Sequence, residues 1–340
     1  MRARLLDWLA CPLCRGALAF TPSCAPQGGA DVETGALACA SCAREFPIVD
    51  SIPRLVPGAL DSGNAKTRES FSWEWLRYPV SLPEDKRIFL SETQLPEDYW
   101  RGRLILDGGC GMGRYTRVAL ALGAEVVALD LSESLTRLLD RARVDPKLHL
   151  VQGDLLRPPL REESFDAAYS IGVIHHTPSA PKALASLSKL VKKGGHLSVW
   201  VYGAPGSYAS FSTNPLRTGR AWLKSVLPLA WAVVWARMLL SDALRLLSTR
   251  LPVPALYALC YPLTWLGAVP FLKYLTFSVH PDFQVRLIEN FDWLAPPYQS
   301  KHTKEEVRAW FTEAGLDIVS QFPHGMVPKV GFLGKKPQGG

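Results

Sequence analysis

The first ten residues lack the features of a secretion signal. Residues 1–10 contain only a short apolar run, Asp7 lies inside it, and no small-residue cleavage pattern follows. The chain also lacks the composition of a disordered protein, because 48% of its 340 residues are hydrophobic and 20% are charged. This length and composition allow a large core and more than one domain. We therefore expect a folded, cytoplasmic protein without a signal peptide.

The sequence has no concentrated run of positive charge, although its formal net charge is +7 and its pI is near 9.0. The main basic pairs are Lys192-Lys193 and Lys335-Lys336. Dispersed charge of this kind is more typical of a solvated face than of a nucleic-acid groove. A nucleic-acid partner is therefore not predicted from charge alone.

An uninterrupted membrane span is also missing. Residues 251–272 carry no charge and reach the length of a span, but Pro252, Pro254, Pro262 and Pro270 break any helix there. A second apolar run, residues 227–240, is interrupted by Arg237 and preceded by basic residues at 217, 220 and 224. Basic residues beside Trp-rich apolar helices suit an interface with anionic lipid. The alternative is that these helices bury their apolar faces against one another or in a homodimer.

Cysteine is scarce, and four of the seven cysteines fall in two Cys-x-x-Cys pairs. The pairs are Cys11 with Cys14 and Cys39 with Cys42, a pattern typical of a tetrahedral zinc site. Four thiolates leave no open position for water, so the predicted Zn²⁺ is structural. A ribbon of this size has too small an apolar core to fold without a stabilising metal ion of this kind.

Disulfide pairing of the same four cysteines is the alternative. It fits poorly with a cytoplasmic chain, whose thiols are kept reduced. Of the other three cysteines, Cys24 is interpreted as a loop residue that does not bind the metal. Cys110 and Cys260 are interpreted as small packing residues.

Glycine is concentrated where an apolar strand runs into a turn. The strand begins at Leu104 and ends in Asp107, and Gly109, Gly111 and Gly113 follow. Glycine at alternate positions lets the backbone approach a ligand closely, and the next helix offers free N–H groups there. A dinucleotide fingerprint would need a small residue directly after the last of these glycines, where this chain has arginine. The turn is predicted to bind a different ligand, whose cationic amino group donates to Asp107.

Two further predicted strands end in acidic residues. Residues 125–129 lead to Asp130, at the distance where a carboxylate can bind both hydroxyls of a ribose. Residues 149–152 lead to Asp154 and Leu155, which suit the amino group and ring face of an adenine. For any one of these aspartates, a turn or a helix cap is the alternative interpretation. Their order along the chain favours a shared nucleoside site.

A fourth predicted strand, residues 165–170, ends at Ile171 and leads to His175 and His176. The unperturbed pKa of histidine makes either one a candidate general base near neutral pH. Only one of these two adjacent side chains can easily face the crevice that the four strand ends are predicted to form. A purely structural role is the alternative for both.

Together these residues resemble the seven-strand class I S-adenosylmethionine-dependent methyltransferases, particularly the type 11-like group with small-molecule acceptors. The resemblance covers residues 104–202 and resumes near Asp292. It implies that the cofactor is S-adenosylmethionine. It also implies which residues bind each part of the cofactor. The methionine part would be bound by Asp107, Gly109, Gly111 and Gly113. The ribose would be bound by Asp130, and the adenine by Asp154 and Leu155, with Ile171 at the end of the fourth strand.

The segment after the second cysteine pair carries a second resemblance. It contains Phe46-Pro47-Ile48 and Ile52-Pro53, and it is similar to a zinc-ribbon family whose free-standing members activate tRNA, rRNA and release-factor methyltransferases. Asp50-Ser51 replaces the usual Asp-Gly of that family. The resemblance covers only the first 56 residues. It implies an interaction or stabilising module, here fused to its catalytic partner.

The alternation of strands and helices predicts an α/β fold, a parallel sheet with helices on both faces. The resemblance implies a Rossmann-like seven-strand methyltransferase sheet in its usual order, with one antiparallel strand. An N-terminal zinc ribbon and a helical insertion after the fifth strand complete the fold. Near the C-terminus, Thr303 and Glu306 predict a capping box for a helix, followed by two edge strands. The predicted domains are the ribbon (1–56), a linker with lid helices (57–103), the cofactor-binding core (104–202), an apolar insertion (203–290) and the rest of the core (291–340).

The linker region begins with a polar stretch at residues 61–64 and continues into the aromatic run of residues 71–75. We predict that this run forms a helical lid over the cofactor. Trp73 and Trp75 are expected to face opposite sides of that helix, so at most one of them contacts ligand. Core packing is the alternative for both.

The insertion lies at the carboxyl edge of the sheet, where ligands bind in this class of fold. Its composition predicts an apolar wall and therefore a hydrophobic acceptor. Asp292, Tyr298 and His302 connect the insertion back to the core, and they are candidates to line the acceptor pocket as base or orienting groups. A structured loop in which Asp292 caps backbone amides is the alternative. The catalytic candidates are Asp292, His175 and His176.

The leading hypothesis is an O- or C-methyltransferase of a small, hydrophobic metabolite such as a quinone, lipid or natural-product intermediate. The alternative is an RNA or protein methyltransferase that uses the zinc ribbon for recognition. Against it, the fourth strand is followed by Ser170-Ile171-Gly172-Val173, not the Asn-Pro-Pro-Tyr of many enzymes that methylate exocyclic or amide nitrogens. A third hypothesis is a cofactor-sensing or scaffolding protein, which would bind the cofactor without turnover.

Overall fold

The computed structural model describes residues 1–21, 31–58, 60–78, 81–204, 223–270, 272, 276–278, 280–322 and 329–338. Cys24 and the basic residues at 217 and 220 lie outside the described residues. Every residue named above as a cofactor, catalytic or metal candidate lies within them.

The N-terminal ribbon is a four-stranded antiparallel sheet. Its strands are β1 (Leu18–Phe20), β2 (Gly35–Cys39), β3 (Glu45–Val49) and β4 (Ile52–Pro53), paired in chain order. Strand β3 alternates exposed and buried residues, which is the pattern of a strand with one face on a core. The knuckles lie on either side of β1 and β2, so the two cysteine pairs meet at one end of the sheet.

The central sheet has seven strands, in the order β10-β11-β9-β8-β5-β6-β7. Strand β11 is antiparallel to both neighbours and the other pairs are parallel, as the family resemblance implied. The strands are β5 (Leu104–Gly108), β6 (Glu125–Asp130), β7 (Leu148–Gln152), β8 (Phe165–Ile171), β9 (Val191–Tyr202), β10 (Asp317–Gln321) and β11 (Lys329–Lys335). Strand β9 begins earlier than expected, because Gly194 and Gly195 lie within it.

Helices cover both faces of this sheet. They are α1 (Ser62–Arg77), α2 (Asp85–Thr93), α3 (Arg114–Ala121), α4 (Leu139–Val144), α5 (Ala180–Leu190), α6 (Leu223–Ser248), α7 (Val253–Leu266), α8 (Phe283–Leu294) and α9 (Lys304–Glu313). Successive residues of β5 point to opposite faces, so Ile105 joins one buried cluster and Leu106 the other. The capping box of Thr303 and Glu306 is present at the start of α9.

The stretch at residues 61–64 is not a linker, as the sequence suggested, but the start of α1. Asp61 is the N-cap, and its Oδ1 accepts a hydrogen bond from the backbone N–H of Asn64 at 3.0 Å. The polar residues that resembled a linker are those that favour a helix N-terminus, because they satisfy its free N–H groups. The lid helix therefore begins one residue after Asp61.

The ribbon is joined to the central sheet by backbone hydrogen bonds. The N–H of Leu55 donates to the carbonyl oxygen of Gln152 at 2.8 Å, and Arg54 forms a parallel bridge with the same residue. The ribbon thus continues the sheet beyond its edge strand β7. Leu5, Leu9 and other buried ribbon residues also share a single apolar cluster with the sheet and with α5. The interface is a continuation of the core and not a surface contact.

Helices α7 and α8 form a separate apolar cluster beside α1. Its fully buried members include Val253, Cys260 and Phe291, and Trp73 of α1 packs against it. Among the described residues, no helix is both long and apolar enough to cross a membrane. Helix α7 contains Pro262, one of the four prolines that argued against a regular span.

Candidate active site

The glycine turn after β5 adopts a conformation that only glycine enters without strain. The φ angles of Gly109, Gly111 and Gly113 are +86°, +53° and +84°. A Cβ at Gly109 would come within 2.9 Å of Val173 Cβ, and one at Gly113 within 2.6 Å of Leu138 Cγ. The turn is therefore packed on two sides while its backbone remains at the carboxyl edge of the sheet.

Asp107, at the end of β5, is buried beneath this turn. Its Oδ2 accepts hydrogen bonds from the Thr116 hydroxyl at 2.6 Å and from the Tyr169 hydroxyl at 2.9 Å. Burial raises the pKa of Asp107 to about 7, although the two hydroxyl donors oppose that shift. A cationic ligand group beside it would stabilise the ionised form.

Asp130, at the end of β6, binds the glycine turn itself. Its Oδ2 accepts from the backbone N–H of Gly111 at 2.7 Å, and its Oδ1 accepts from the N–H and hydroxyl of Ser132 at 2.8 and 2.6 Å. Burial raises the pKa of Asp130, while these donors lower it. The carboxylate therefore connects the ends of β5 and β6 at the position where the sequence predicted a ribose.

The remaining predicted cofactor residues lie at the ends of β7 and β8. Asp154 uses Oδ1 to accept from the N–H of Leu156 at 2.9 Å, so it also supports its own turn. Leu155 is buried beside Gly108, and Ile171 ends β8 with its side chain half-buried. All four strand ends meet at one edge of the sheet.

Helix α1 lies over the glycine turn. The Nε1 of Trp75 lies 3.6 Å from the position that a Cβ of Gly111 would occupy. Trp73 points elsewhere, into the cluster of α7 and α8, with the Arg77 guanidinium 3.3 Å above its ring. The two tryptophans therefore face different sides of the helix, and Trp75 is the one beside the predicted cofactor.

The two histidines are less suited to acid–base chemistry than their sequence suggests. Burial lowers the pKa of His176 to about 4, and its Nδ1 donates to the carbonyl oxygen of Tyr298 at 3.0 Å. Burial also lowers the pKa of His175 well below its ordinary value. The expectation of a pKa near neutrality was wrong for both, because no carboxylate compensates for their burial. His175 is nevertheless unusual, since neither ring nitrogen has a hydrogen-bond partner among the described residues.

Asp292 lies on α8 and faces Glu74 on α1. Burial raises the pKa of Asp292 to about 7 and that of Glu74 well above its ordinary value. Tyr298 and His302 do not join them: the Tyr298 hydroxyl donates to Asp61 at 3.0 Å, and the His302 ring packs against Trp310. Gly203 and His302 form an isolated parallel bridge, and the backbone N–H of His302 donates to the carbonyl oxygen of Tyr202 at 2.9 Å.

Glu74 was not singled out in the sequence analysis. It lies on the inner face of α1 with Thr67 and Ser70, and all three are buried. The spacing of these residues is helical, so the signal was a polar stripe within an aromatic segment. A polar stripe on a helix is usually taken for the solvent face, which is why the arrangement was not recognised.

The four cysteine sulfurs of the ribbon lie within 4.8 Å of one another. Cys11 Sγ is 3.7 Å from Cys42 Sγ, and Cys14 Sγ is 3.4 Å from Cys39 Sγ. A tetrahedral zinc with Zn–S bonds of about 2.3 Å requires sulfurs about 3.8 Å apart. The donor set and its spacing therefore fit Zn²⁺.

The buried Asp107 carboxyl makes stability depend on pH. Its pKa is about 7 in the folded chain and about 4 in an unfolded one, so the folded state holds the proton more tightly. The free energy of unfolding is expected to fall as the pH rises from about 4 to about 7. Replacing Asp107 with asparagine should remove up to about 4 kcal/mol of that decline.

Chemical denaturation at several pH values between 4 and 8 measures this effect. The matched control is Asp140→Asn, because the Asp140 side chain is almost fully exposed (99%). Asp140→Asn should leave the pH dependence as it is in the wild type. If Asp107→Asn also leaves it unchanged, Asp107 does not hold a proton in the folded state.

Two family matches cover separate parts of the chain. Residues 106–199 match the family described as "Methyltransferase domain", and residues 2–51 match the family described as "Trm112p-like protein". The first match spans the glycine turn and the four strand ends. The second spans the ribbon with its four cysteines. The two matched regions are the sheet and the ribbon that Leu55 joins.

Several curated proteins are similar over part of the chain. An uncharacterized chloroplastic methyltransferase of Arabidopsis thaliana is 28% identical over 61% of this chain and 65% of its own length. A sterol 24-C-methyltransferase of Gibberella zeae is 32% identical over 38% of this chain and 36% of its own. A tRNA (carboxymethyluridine(34)-5-O)-methyltransferase of Arabidopsis thaliana is 33% identical over 33% of this chain and 27% of its own. The chain thus spans less than two thirds of each of these relatives.

Among solved structures, a chain from the complex of the Haloferax volcanii Trm112 methyltransferase activator with a methyltransferase aligns with a TM-score of 0.43. It is 13% identical and covers 82% of this chain and 100% of that chain. A Burkholderia thailandensis 1,6-didemethyltoxoflavin-N1-methyltransferase aligns with a TM-score of 0.44 at 14% identity, covering 88% of this chain and 97% of that chain.

Proposed function

We propose that this chain, which carries a methyltransferase domain behind a Trm112p-like domain, transfers a methyl group from S-adenosylmethionine to an oxygen or carbon of a small, hydrophobic acceptor. The observation that carries the proposal is the glycine turn at the end of β5, held by Asp130 and covered by Trp75. In this assignment the turn and Asp107 bind the methionine part. Asp130 binds the ribose, and Asp154 with Leu155 binds the adenine beside Ile171.

In this proposal the fold aligns the acceptor with the cofactor and excludes water, and it supplies few strong acid–base groups. S-adenosylmethionine, when bound, supplies a methyl group already activated by its sulfonium. The protein must then bring the acceptor in line with that methyl group and exclude water. Helix α1 suits this task, because Ser72 accepts from the N–H of Glu133 at 2.9 Å and so fixes the helix over the strand ends.

Aromatic side chains support a hydrophobic acceptor. Tyr202 at the end of β9 stacks on Trp293 with ring centroids 5.2 Å apart, and Phe71 lies against the His176 ring. Rings on β9, α1 and α8 thus pack together beside the ends of β8 and β9. Mass spectrometry of small molecules that co-purify with the chain in the absence of detergent tests this class. RNA that survives high-salt washing, with no lipid or quinone, would favour the RNA-methylating alternative.

Replacing Asp130 with alanine tests the cofactor site. The substitution removes a charge-assisted hydrogen bond to the ribose and also frees the N–H of Gly111. We expect a loss of about 1.5–3 kcal/mol of binding free energy for S-adenosylmethionine, measured by titration calorimetry. Asp140→Ala removes a fully exposed carboxylate from the helical segment that follows and should bind as the wild type does. Unchanged affinity in Asp130→Ala would contradict the assignment of the ribose.

We propose that the ribbon holds a structural Zn²⁺ through Cys11, Cys14, Cys39 and Cys42. Four sulfur ligands complete the coordination, so no position remains for a reacting water. Cys11 and Cys39 are buried and Cys14 and Cys42 are exposed, which places the ion at the surface end of the ribbon. Its role in this proposal is to hold together the ribbon, whose Arg54 and Leu55, directly after β4, bond to the sheet.

We propose that the insertion contacts a membrane surface peripherally. Among the described residues, eight large apolar side chains on α6 and α7 are exposed: Leu239, Leu240, Leu244, Leu246, Leu247, Leu259, Tyr261 and Trp265. Such a concentration is uncommon on the surface of a monomeric protein. Replacing Leu240 and Trp265 together with serine should abolish co-sedimentation with vesicles of phosphatidylglycerol. Loss of a dimer in analytical ultracentrifugation, with no vesicle binding by the wild type, would instead assign these residues to a homodimer.

A further inference from the structure

The inner face of α1 carries a carboxyl group with no cationic partner. Glu74 is completely buried, and no donor among the described residues reaches either of its oxygens. The group that faces it is the carboxyl of Asp292, whose Oδ1 is also buried and without a donor. Two carboxyl groups can hydrogen-bond to each other only if at least one of them carries a proton.

The surroundings favour a shared proton. Asp292 and Glu289 on α8, Tyr202 on β9 and Cys260 on α7 all interact electrostatically within this group, and all are acids. Arg245 on α6 is the cation among these neighbours: it lowers the pKa of Tyr202, and its guanidinium forms an ion pair with Asp242 at 2.5 Å. Because like charges in a buried site cannot both ionise, the Glu74–Asp292 pair retains one proton near neutral pH.

The pair is continuous with the cofactor crevice. The Tyr202 ring, whose hydroxyl is perturbed by Asp292 and Glu74, lies 4.0 Å from the His175 ring between centroids. His175 follows the end of β8 closely, and Val173 in the same segment packs against Gly109. A path of contacts therefore runs from the glycine turn to the two carboxyls.

Other buried polar atoms in this region also have no partner. Both ring nitrogens of His175 and both amide atoms of Gln299 are buried without a hydrogen bond among the described residues. Unpaired buried polar atoms cost free energy and are rare in folded proteins. A ligand with its own hydrogen-bonding group is the simplest way to satisfy several of them at once.

We propose that Glu74 and Asp292 form a proton-sharing carboxyl pair in the acceptor site, and that the acceptor presents a weakly acidic hydroxyl, phenolic or enolic, to Asp292. This inference rests on the proposed methyl transfer. Asp292 is the general base, and Glu74, which keeps its proton, donates to Asp292 and orients it. The acidic surroundings disfavour acceptors that carry a carboxylate.

The reaction balances without a further reactant. The acceptor oxygen forms a bond to the methyl carbon as the carbon–sulfur bond breaks, and the sulfur retains the electron pair of that bond. The hydroxyl proton moves to the carboxylate of Asp292. The products are the methyl ether, S-adenosylhomocysteine and a doubly protonated carboxyl pair, which returns one proton to solvent as the product leaves.

Binding of 2-naphthol and of its ether, 2-methoxynaphthalene, tests the pair without requiring the natural acceptor. Affinities are measured by fluorescence titration of the full chain saturated with S-adenosylhomocysteine. The wild type should bind the hydroxyl compound at least tenfold more tightly than the ether. Asp292→Asn should lose that preference, because its amide is not basic. Equal affinity for the two probes, or no binding of either, overturns the proposed acceptor class.

Glu74→Gln separates orientation from simple packing. Its neutral amide donates to Asp292 as protonated Glu74 does, so it should keep the preference for 2-naphthol and the pH midpoint of that preference. Glu74→Leu donates nothing and should move the midpoint to a higher value, because a donor to Asp292 lowers the pKa of that carboxyl. Glu69→Gln, on the exposed side of α1, is the matched control and should move neither quantity. Loss of the preference in Glu74→Gln, or an unmoved midpoint in Glu74→Leu, contradicts the assigned role of Glu74.

Infrared spectroscopy provides a readout that does not depend on any acceptor. The wild type at pH 8 should show the carbonyl band of a protonated carboxylic acid, and Glu74→Gln should lack it. Retention of the full band in Glu74→Gln overturns the shared proton. Titration with S-adenosylmethionine distinguishes failure of the proposed function from failure of the carboxyl pair. A chain that does not bind the cofactor contradicts the proposed function. A chain that binds the cofactor normally but lacks the infrared band contradicts only the carboxyl pair.

Discussion

Replacing Gly109 with alanine is expected to weaken the binding of S-adenosylmethionine by about two orders of magnitude. The residue has a φ of +86°, where a Cβ costs about 1–2 kcal/mol. The added methyl group would also overlap Val173, and overpacking of this kind costs about 1–3 kcal/mol. Most of this cost falls on the turn that forms the site, because the turn must move to relieve it. Titration calorimetry measures the loss.

Gly315 provides the matched control for Gly109. Its φ is +71°, but a Cβ there would meet no atom within 4 Å. Gly315→Ala therefore carries the backbone strain without the overlap, and it lies at the end of α9, outside the proposed site. We expect a slightly lower melting temperature and an unchanged affinity for the cofactor. If Gly109→Ala binds as tightly as Gly315→Ala, the turn after β5 does not bind the cofactor.

Replacing Cys39 with serine is expected to unfold the ribbon and to destabilise the sheet with it. Structural zinc supplies about 10–16 kcal/mol in isolated zinc-finger peptides at neutral pH, far more than a small ribbon core provides. Loss of the ribbon would also remove the hydrogen bond of Leu55 to β7 and expose buried residues such as Leu5 and Leu9. We therefore expect a fall in the melting temperature of the whole chain, and a zinc content well below one ion per chain.

Cys260→Ser is the control for the chemical change from thiol to hydroxyl. Cys260 is buried in α7, outside the four-cysteine cluster, so its replacement should lower stability without changing the zinc content. Treatment of the wild type with a strong chelator should reproduce the effect of Cys39→Ser. A wild type that contains no zinc after purification in metal-replete medium, with an unchanged melting temperature in Cys39→Ser, would contradict the proposed metal site.

The parts of the fold that the sequence predicts are those with a short-range cause. The alternation of strands and helices, the positive-φ glycines after β5 and the capping box of Thr303 each depend on neighbouring residues. The cysteine pairs belong to the same class, because each knuckle is a local turn. For these features the sequence pattern and the structure agree. The antiparallel position of β11 also agrees, but it was expected from the family resemblance and has no short-range cause.

The parts that the sequence could not predict depend on contacts between distant segments. Asp61 was taken for a linker residue, because its role as a cap is visible only once α1 is seen to begin there. Glu74 and Asp292 are far apart in sequence, and nothing local indicates that they meet. The pKa values of His175 and His176 follow from their burial, which is set by β9, α1 and the segment that contains Tyr298.

The junction between Leu55 and β7 has a consequence for assembly. The ribbon and the sheet belong to one chain, so the ribbon is present at a high effective concentration, of millimolar order for a short connection. A contact between ribbon and sheet that would be weak between separate proteins therefore stays formed within one chain. The ribbon also covers a strand edge that would otherwise be free to pair with other chains. Covalent fusion therefore fixes the stoichiometry at one ribbon per sheet. If the ribbon holds the proposed Zn²⁺, protection of that strand edge from aggregation also depends on metal supply.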